Sequence, residues 1–285
     1  EFAWQPLFVT ADRRGRVNAG TETAGLSEPL ASRGCTAISL MRNQPEHPSF
    51  CLLDHAGDPM AMLILAHGAG APMDSSFMTR MAALLSQRHI TVCRFEFGYM
   101  AKRRATGRRL PPPKAELLTA ELREVMASTD ARLPMLIGGK SMGGRVASML
   151  ADELYADGRI AGVVCLGYPF HPPTKPESRR TAHLENQKTP TLIVQGERDP
   201  FGTRAEITRY SLSKAVELVW LPDGDHDFGP RRGSGTTRSA NLGRAADAVA
   251  GFAGRLVKAD AKRNVTRMDA YLHIAGTDHD HSLSA

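Results

Sequence analysis

Short apolar runs alternate with longer segments of helical spacing along most of this chain, and that alternation limits the fold more than any single motif. Strand-like runs stand at 49–54, at 60–66 (MAMLILA), at 90–95 (ITVCRF), at 134–137, at 160–166, at 191–195 and at 216–221. Between them a helix is expected from a cap at Asp74-Ser75-Ser76 to about Arg88. Another is expected over 114–128, where Leu117, Leu118, Leu122, Val125 and Met126 recur at helical spacing. Further helices are expected over 142–155, 203–212 and 240–257. Strands so uniformly apolar cannot have one wet face, and they suit a parallel sheet covered on both sides. The fold class is therefore α/β, with a mostly parallel central sheet and helices on both faces.

This pattern occupies residues 45–257, read as one domain. Residues 1–40 have weak periodicity and many Gly, Ser, Thr and Arg. They are expected to be poorly ordered or foreign to a native domain that starts near Met41. Residues 258–285 are expected to form a flexible tail. No run of about 18 apolar residues occurs, so no membrane span is expected, and the N-terminal stretch lacks the order of a signal peptide. Cys35, Cys51, Cys93 and Cys165 form no CxxC pair, which fits reduced thiols in a cytoplasmic protein and suggests no metal site. The formal net charge is +6, and the stretch 102–109, KRRATGRR, holds five basic residues and no acid. A nucleic-acid binder spreads its basic residues over several elements with aromatics among them. A single basic loop does not meet that description, so no nucleic-acid partner is expected.

The stretch GGKSMGG at 138–144 admits two readings. Gly139-Lys140-Ser141 matches the end of a phosphate-binding loop, but the first glycine of that motif would fall at Pro134, inside a strand. The loop is too short to cradle phosphates. The alternative is a nucleophile elbow, in which a serine sits on a tight strand-to-helix turn with small residues two positions away on either side. Gly139 and Gly143 fill those places around Ser141. Alone, the pentapeptide is a moderate signal.

An acid and then a histidine should follow, each after a later strand. Asp199 follows the strand TLIVQ, and His226 follows VELVWL. Parallel strands bring such ends to one edge of the sheet. His226 would take the Ser141 proton and Asp199 would orient the imidazole. Asp223, Asp225 and Asp227 are rival acids, ranked lower because they crowd His226 within one loop. The oxyanion would be held by the Met142 N–H and by the Ala69 N–H in the loop His67-Gly68-Ala69-Gly70, with Gly70 as the neighbour able to share that role.

Taken together, LAHGAGAPMDSSFM, RFEFGYM, IGGKSMGGRVAS, CLGYPFHPP, LIVQGERDPFG and LPDGDHDF resemble one bacterial branch of the α/β-hydrolase fold. This branch is related to dienelactone hydrolases, testis-expressed protein 30 and NSL-complex subunit 3. The resemblance covers about 45–255. It implies a serine-hydrolase scaffold with Ser141, Asp199 and His226 as triad. It also implies that some relatives act as scaffold or interaction proteins. The chain departs from the commoner FEFPYM pattern at Gly98, where proline is usual.

Other features carry weaker expectations. DGDHD at 223–227 begins like a calcium loop but has Phe228 and Ser234 where glycine and glutamate belong. His67 is expected to orient loop backbone. His171 is expected either to line the pocket or to pack in a proline-stiffened loop. The segment 168–188 is too short for a large lid. Arg103 and Arg104, with Arg108 and Arg109, should lie on the active-site edge and attract a carboxylate-bearing substrate. The expected activity is hydrolysis of small or medium carboxylic esters through an acyl-enzyme, without a cofactor. Amide, peptide or thioester cleavage and a non-catalytic interaction module remain alternatives, and the oligomeric state is left open.

Overall fold

The computed structural model describes residues 51–129 and 132–261 in full, and the backbone alone at 8–11, 17–20, 36–39, 50 and 262–277. In chain order the elements are β1 (Phe8–Ala11), β2 (Val17–Gly20), β3 (Thr36–Ser39), β4 (Phe50–Asp54), β5 (Ala61–Ala66), α1 (Ser76–Ser86), β6 (Ile90–Phe95), α2 (Gly98–Thr106), α3 (Ala115–Ala127), β7 (Met135–Lys140), α4 (Met142–Ala156), β8 (Gly162–Leu166), α5 (Ala182–Glu185), β9 (Thr191–Gly196), α6 (Arg204–Ile207), β10 (Val216–Leu221) and α7 (Arg238–Thr277). The main sheet runs β10-β9-β8-β7-β5-β6-β4-β3, while β1 and β2 pair separately. From β6 to β10 the neighbours are parallel, and β4 is antiparallel to both β6 and β3.

Side chains alternate across the sheet with the two-residue period of a strand. Ile64, Ala66, Cys93, Phe95, Ile137, Val163, Cys165 and Ile193 face one core with Leu118 and Leu122 of α3 and Val146 and Leu150 of α4. Leu63, Leu65, Val92, Leu136, Val164, Leu166, Leu192 and Val194 face the other, with Met78 and Met81 of α1 and Leu242, Val249 and Phe252 of α7. Both faces of the central strands are dry, which is why their sequences read as continuous apolar runs. No described helix is long and apolar enough to cross a membrane.

Several boundaries differ from expectation. The basic stretch after β6 is not a loop: α2 spans Gly98–Thr106 and ends where Gly107 adopts φ 67°. Lys and Arg are good helix formers, and a glycine at that place closes a helix in the left-handed conformation. The segment expected as a helix over 203–212 holds only α6, closed at its start by a capping box between Thr203 and Glu206. The closing helix does not stop at Val257 but continues to Thr277, so the expected tail begins as helix and only 278–285 lies outside the described residues. Within the stretch expected to be unordered, β1, β2 and β3 are strands, and β3 extends the main sheet through β4. The rest of 1–40 lies outside the described residues.

Candidate active site

Seven of the eight main-sheet strands, all but β4, share one direction, so their C-terminal ends form one edge. Ser141 follows β7, Asp199 follows β9 and His226 follows β10. Ser141 has φ 52° and ψ −115°, a left-handed conformation that costs a non-glycine residue about 1–3 kcal/mol. The strand holds it from one side, through the Ser141 N–H donated to the Leu166 carbonyl at 3.0 Å. The helix holds it from the other, through the Arg145 N–H donated to the Ser141 carbonyl at 3.1 Å. Glycine is required around it. A Cβ on Gly139 would stand 2.5 Å from the Gly143 carbonyl carbon and 2.6 Å from the Ala66 oxygen. A Cβ on Gly143 would stand 2.6 Å from that same oxygen. The turn thus exists only because strand and helix backbones touch there.

Asp199 and His226 meet. His226 Nδ1 lies 2.8 Å from Asp199 Oδ2, with Asp199 fully buried. The carboxylate is further held by the Gln195 Nε2 amide at 2.9 Å and by the Phe201 N–H at 2.9 Å. Gln195 was not singled out from sequence. Its amide also donates to the Tyr168 carbonyl and its oxygen accepts the Tyr168 N–H, so it ties the β8 loop to the β9 loop. The polar residue ending the apolar run TLIVQ was the available signal. The Phe201 ring lies against the imidazole, tilted by 36°, with ring centroids 4.3 Å apart.

The rival acids are otherwise engaged. Asp223 is paired with Arg198 and Arg231, and the Arg231 hydrogen bonds bring its carboxyl down to about 2. Asp225 Oδ1 accepts the N–H groups of Asp227 and Gly229, folding its own loop. Asp227 faces Lys140 at 3.4 Å.

The loop after β5 is held by a buried histidine. His67 Nε2 accepts the Phe97 N–H at 3.1 Å, so its Nδ1 carries the proton and donates to the Gly68 carbonyl at 2.7 Å. Burial holds the imidazole below its ordinary pKa. Tyr99 Oη donates to the Ala69 carbonyl at 3.0 Å, and burial raises its phenol pKa. With these carbonyls turned away and held, the N–H groups of Ala69 and Gly70 lie in a loop of defined shape. Gly68 packs against the elbow, its Cβ position 3.7 Å from the Ser141 Cβ.

A cleft of about 430 Å³ opens beside this loop, lined by Ala69, Gly70, Arg103, Arg109, Leu110, Pro111 and Pro112. Arg103 reaches the Gly70 carbonyl at 3.4 Å. Arg104 does not join it. Its guanidinium bridges Glu96, itself buried, and Asp74, and both carboxylates raise its pKa. His171 is not a pocket wall either. It is 2% exposed, with Nδ1 3.0 Å from the Pro172 carbonyl and its backbone N–H donated to Phe201. It packs under the loops that present Asp199. No group of three His, Cys, Asp or Glu among the described residues is placed to hold a metal ion.

A strained serine at a strand-to-helix turn, on the same sheet edge as a buried aspartate hydrogen-bonded to a histidine, fits the α/β-hydrolase class. The chain belongs to the α/β-hydrolase domain family, whose model matches residues 59–254. Among solved structures it is similar to dienelactone hydrolase from Anabaena variabilis, with 21% identity, a TM-score of 0.57, and coverage of 75% of this chain and 95% of that one. It is also similar to an α/β serine hydrolase without a lid from Xanthomonas campestris, with 18% identity, a TM-score of 0.53, and coverage of 81% and 97%. A third is an α/β serine hydrolase homologue from Coxiella burnetii, with 17% identity, a TM-score of 0.52, and coverage of 78% and 98%. These likenesses concern the fold.

Proposed function

We propose that this protein is a serine hydrolase of carboxylic esters with small or medium acyl groups. The observation that carries the reading is the hydrogen bond from His226 Nδ1 to the buried Asp199 carboxylate, on the same sheet edge as the strained Ser141. With Nδ1 donating to Asp199, Nε2 is the free base. Ser141 Oγ attacks the ester carbonyl carbon as His226 Nε2 takes its proton. The oxyanion that forms accepts the N–H groups of Met142 and Ala69, with Gly70 next to them, each donor contributing roughly 3–4 kcal/mol. The intermediate collapses, the C–O bond to the alcohol breaks, and the alkoxide leaves with the proton from His226. Water then attacks the acyl-enzyme, giving its proton to His226. The carboxylic acid departs as Ser141 regains a proton from the imidazolium.

The cleft beside Ala69 and Gly70 suggests the substrate. Leu110, Pro111 and Pro112 offer an apolar wall, and Arg103 and Arg109 offer positive charge. An ester carrying a carboxylate suits both. We place the chain in the branch related to testis-expressed protein 30 and NSL-complex subunit 3, on the motif GGKSMGGR and the histidine loop. We assign it to the cytoplasm on its three buried free thiols, Cys51, Cys93 and Cys165.

The test is turnover of p-nitrophenyl acetate, butyrate and octanoate by the wild type and by Ser141→Ala. The expected result is wild-type hydrolysis that falls by about 10⁴-fold or more in the variant. Equal rates in the two proteins overturn the reading. Wild-type turnover confined to matched amides or thioesters redirects it to those substrates.

A further inference from the structure

Lys140 immediately precedes Ser141 and ends β7, yet its side chain is only 8% exposed. Lysine at such a place is costly, because a buried ammonium loses its hydration. Its Nζ stands 3.4 Å from Asp227 Oδ1 and 5.3 Å from the centroid of the Phe77 ring. Gly167 closes the remaining side. A Cβ there would stand 3.2 Å from Lys140 Nζ and 3.4 Å from His226 Nδ1. The ammonium and the imidazole therefore share one gap, separated by no more than the sum of those distances.

The charges around that gap are unequal. Asp199 faces His226 from the loop after β9, Asp225 and Asp227 lie in its own loop, and Lys140 comes from β7. From α1 the gap meets the Phe77 ring, and from the loop after β9 the tilted Phe201 ring lies against the imidazole. Arg238 of α7 donates to the Asp227 carbonyl, beyond the carboxylate. The same three carboxylates favour the charged Lys140, while burial pulls its pKa down.

We propose that Lys140 is a positioning residue for the reaction, fixing the His226 loop to the elbow through Asp227 and offsetting the negative charge of Asp199 and of the Asp225 and Asp227 carboxylates in the His226 loop. This rests on the serine-hydrolase reading above. Three carboxylates unopposed would stabilise the imidazolium, which cannot accept the Ser141 proton. An ammonium in the same gap favours the neutral ring. A methionine would fill the space without the desolvation cost, so the charge itself is what the site uses.

The pH profile of kcat/KM reports the free enzyme's base. In Lys140→Met the acid limb moves up by about half a unit to one unit, and activity at pH 6 falls about 3- to 10-fold. In Asp227→Asn, which loses an anion and leaves Lys140 less opposed, the limb moves down. The double variant returns toward the wild type. A role limited to packing would give no such opposite pair. Limbs that coincide in all four proteins, or that move the same way in both single variants, overturn the inference. Should Lys140→Met fail to fold, Asp227→Asn decides alone, since that side chain is 61% exposed and its loss spares the core. Titration of the His226 ring by NMR in the Ser141→Ala background reads the same shifts without turnover. It separates a failure of this inference from a failure of the hydrolase reading.

Discussion

The carboxylate of Asp199 meets the imidazole of His226 from inside the protein, at 2.8 Å and with no exposure of its own. Gln195 and Phe201 hold the acid from the far side. The acid is thus locked before any substrate arrives, and the imidazole takes its orientation from it. Asp199→Asn keeps the shape and removes the charge that favours Nδ1–H. The expected result is a fall in kcat of about 10³- to 10⁴-fold with KM nearly unchanged and the melting temperature close to wild type. A loss of less than tenfold in steady-state kinetics would assign the acid's role elsewhere in the 223–227 loop.

The elbow tolerates no side chain at two positions. Gly139→Ala pushes a methyl into the Gly143 backbone, and Gly143→Ala pushes one into the Ala66 and His67 carbonyls. Backbone cannot step aside as a flexible side chain can. Each variant should lose at least about 1–3 kcal/mol of stability and shift the urea midpoint accordingly. Gly70→Ala is the control, because nothing lies within 4 Å of its Cβ position. It should fold as the wild type does.

The central strands and the order serine, acid, histidine were legible because each depends on a local pattern with a fixed period or a fixed place. Ile90–Phe95 and Val216–Leu221 match their expected bounds since each run stops at a visible break, Glu96 after the first and Pro222-Asp223-Gly224 after the second. What was not legible depends on partners distant in sequence. Nothing near Arg104 says that Glu96 and Asp74 occupy it, so a basic run read as free charge turned out to be helical and partly ion-paired. His171 could be read either as a pocket residue or as loop packing, because its position after a strand is visible and its burial is not. Lys140 read as the end of a phosphate-binding loop or as the variable place in G-x-S-x-G. Its meaning lies in Asp227 and Gly167, which reach it through the fold.

His67 gives the molecule an acid-sensitive joint. Its Nε2 must stay unprotonated to accept the Phe97 N–H, and burial holds its pKa below the ordinary 6.5. Burial likewise lowers His183, to about 4, with Arg145 adding to the effect. In both cases the unfolded chain binds a proton more readily than the folded one. Their contribution to stability is therefore complete above about pH 6.5 and declines as the pH falls below it. Urea midpoints should drop steadily from pH 7 to pH 5. His67→Gln, which keeps an acceptor and a donor but cannot titrate, should flatten part of that slope and leave the part due to His183. An unchanged slope would mean that His67 does not titrate in this range.

Charge in the cleft should act on substrates that carry charge. Arg103 and Arg109 line it, Arg109 exposed and Arg103 half-buried at the surface, so each interaction is screened and is worth about 1 kcal/mol. That corresponds to roughly a fivefold change in KM per guanidinium. Arg103→Gln with Arg109→Gln should raise KM about 10-fold or more for a phenyl ester bearing a free carboxylate. Its methyl-capped counterpart should change by less than twofold, with kcat unaffected for both. The difference should shrink as ionic strength rises toward 1 M, where the screening length falls to about 3 Å. Arg104→Gln should behave differently. Its guanidinium is committed to Glu96 and Asp74, so its loss leaves a buried carboxylate unpaired and shows first as a lower melting temperature. Equal KM increases for the charged and neutral esters in the Arg103/Arg109 variant would remove the anion from the substrate description and leave only the apolar wall of Leu110, Pro111 and Pro112.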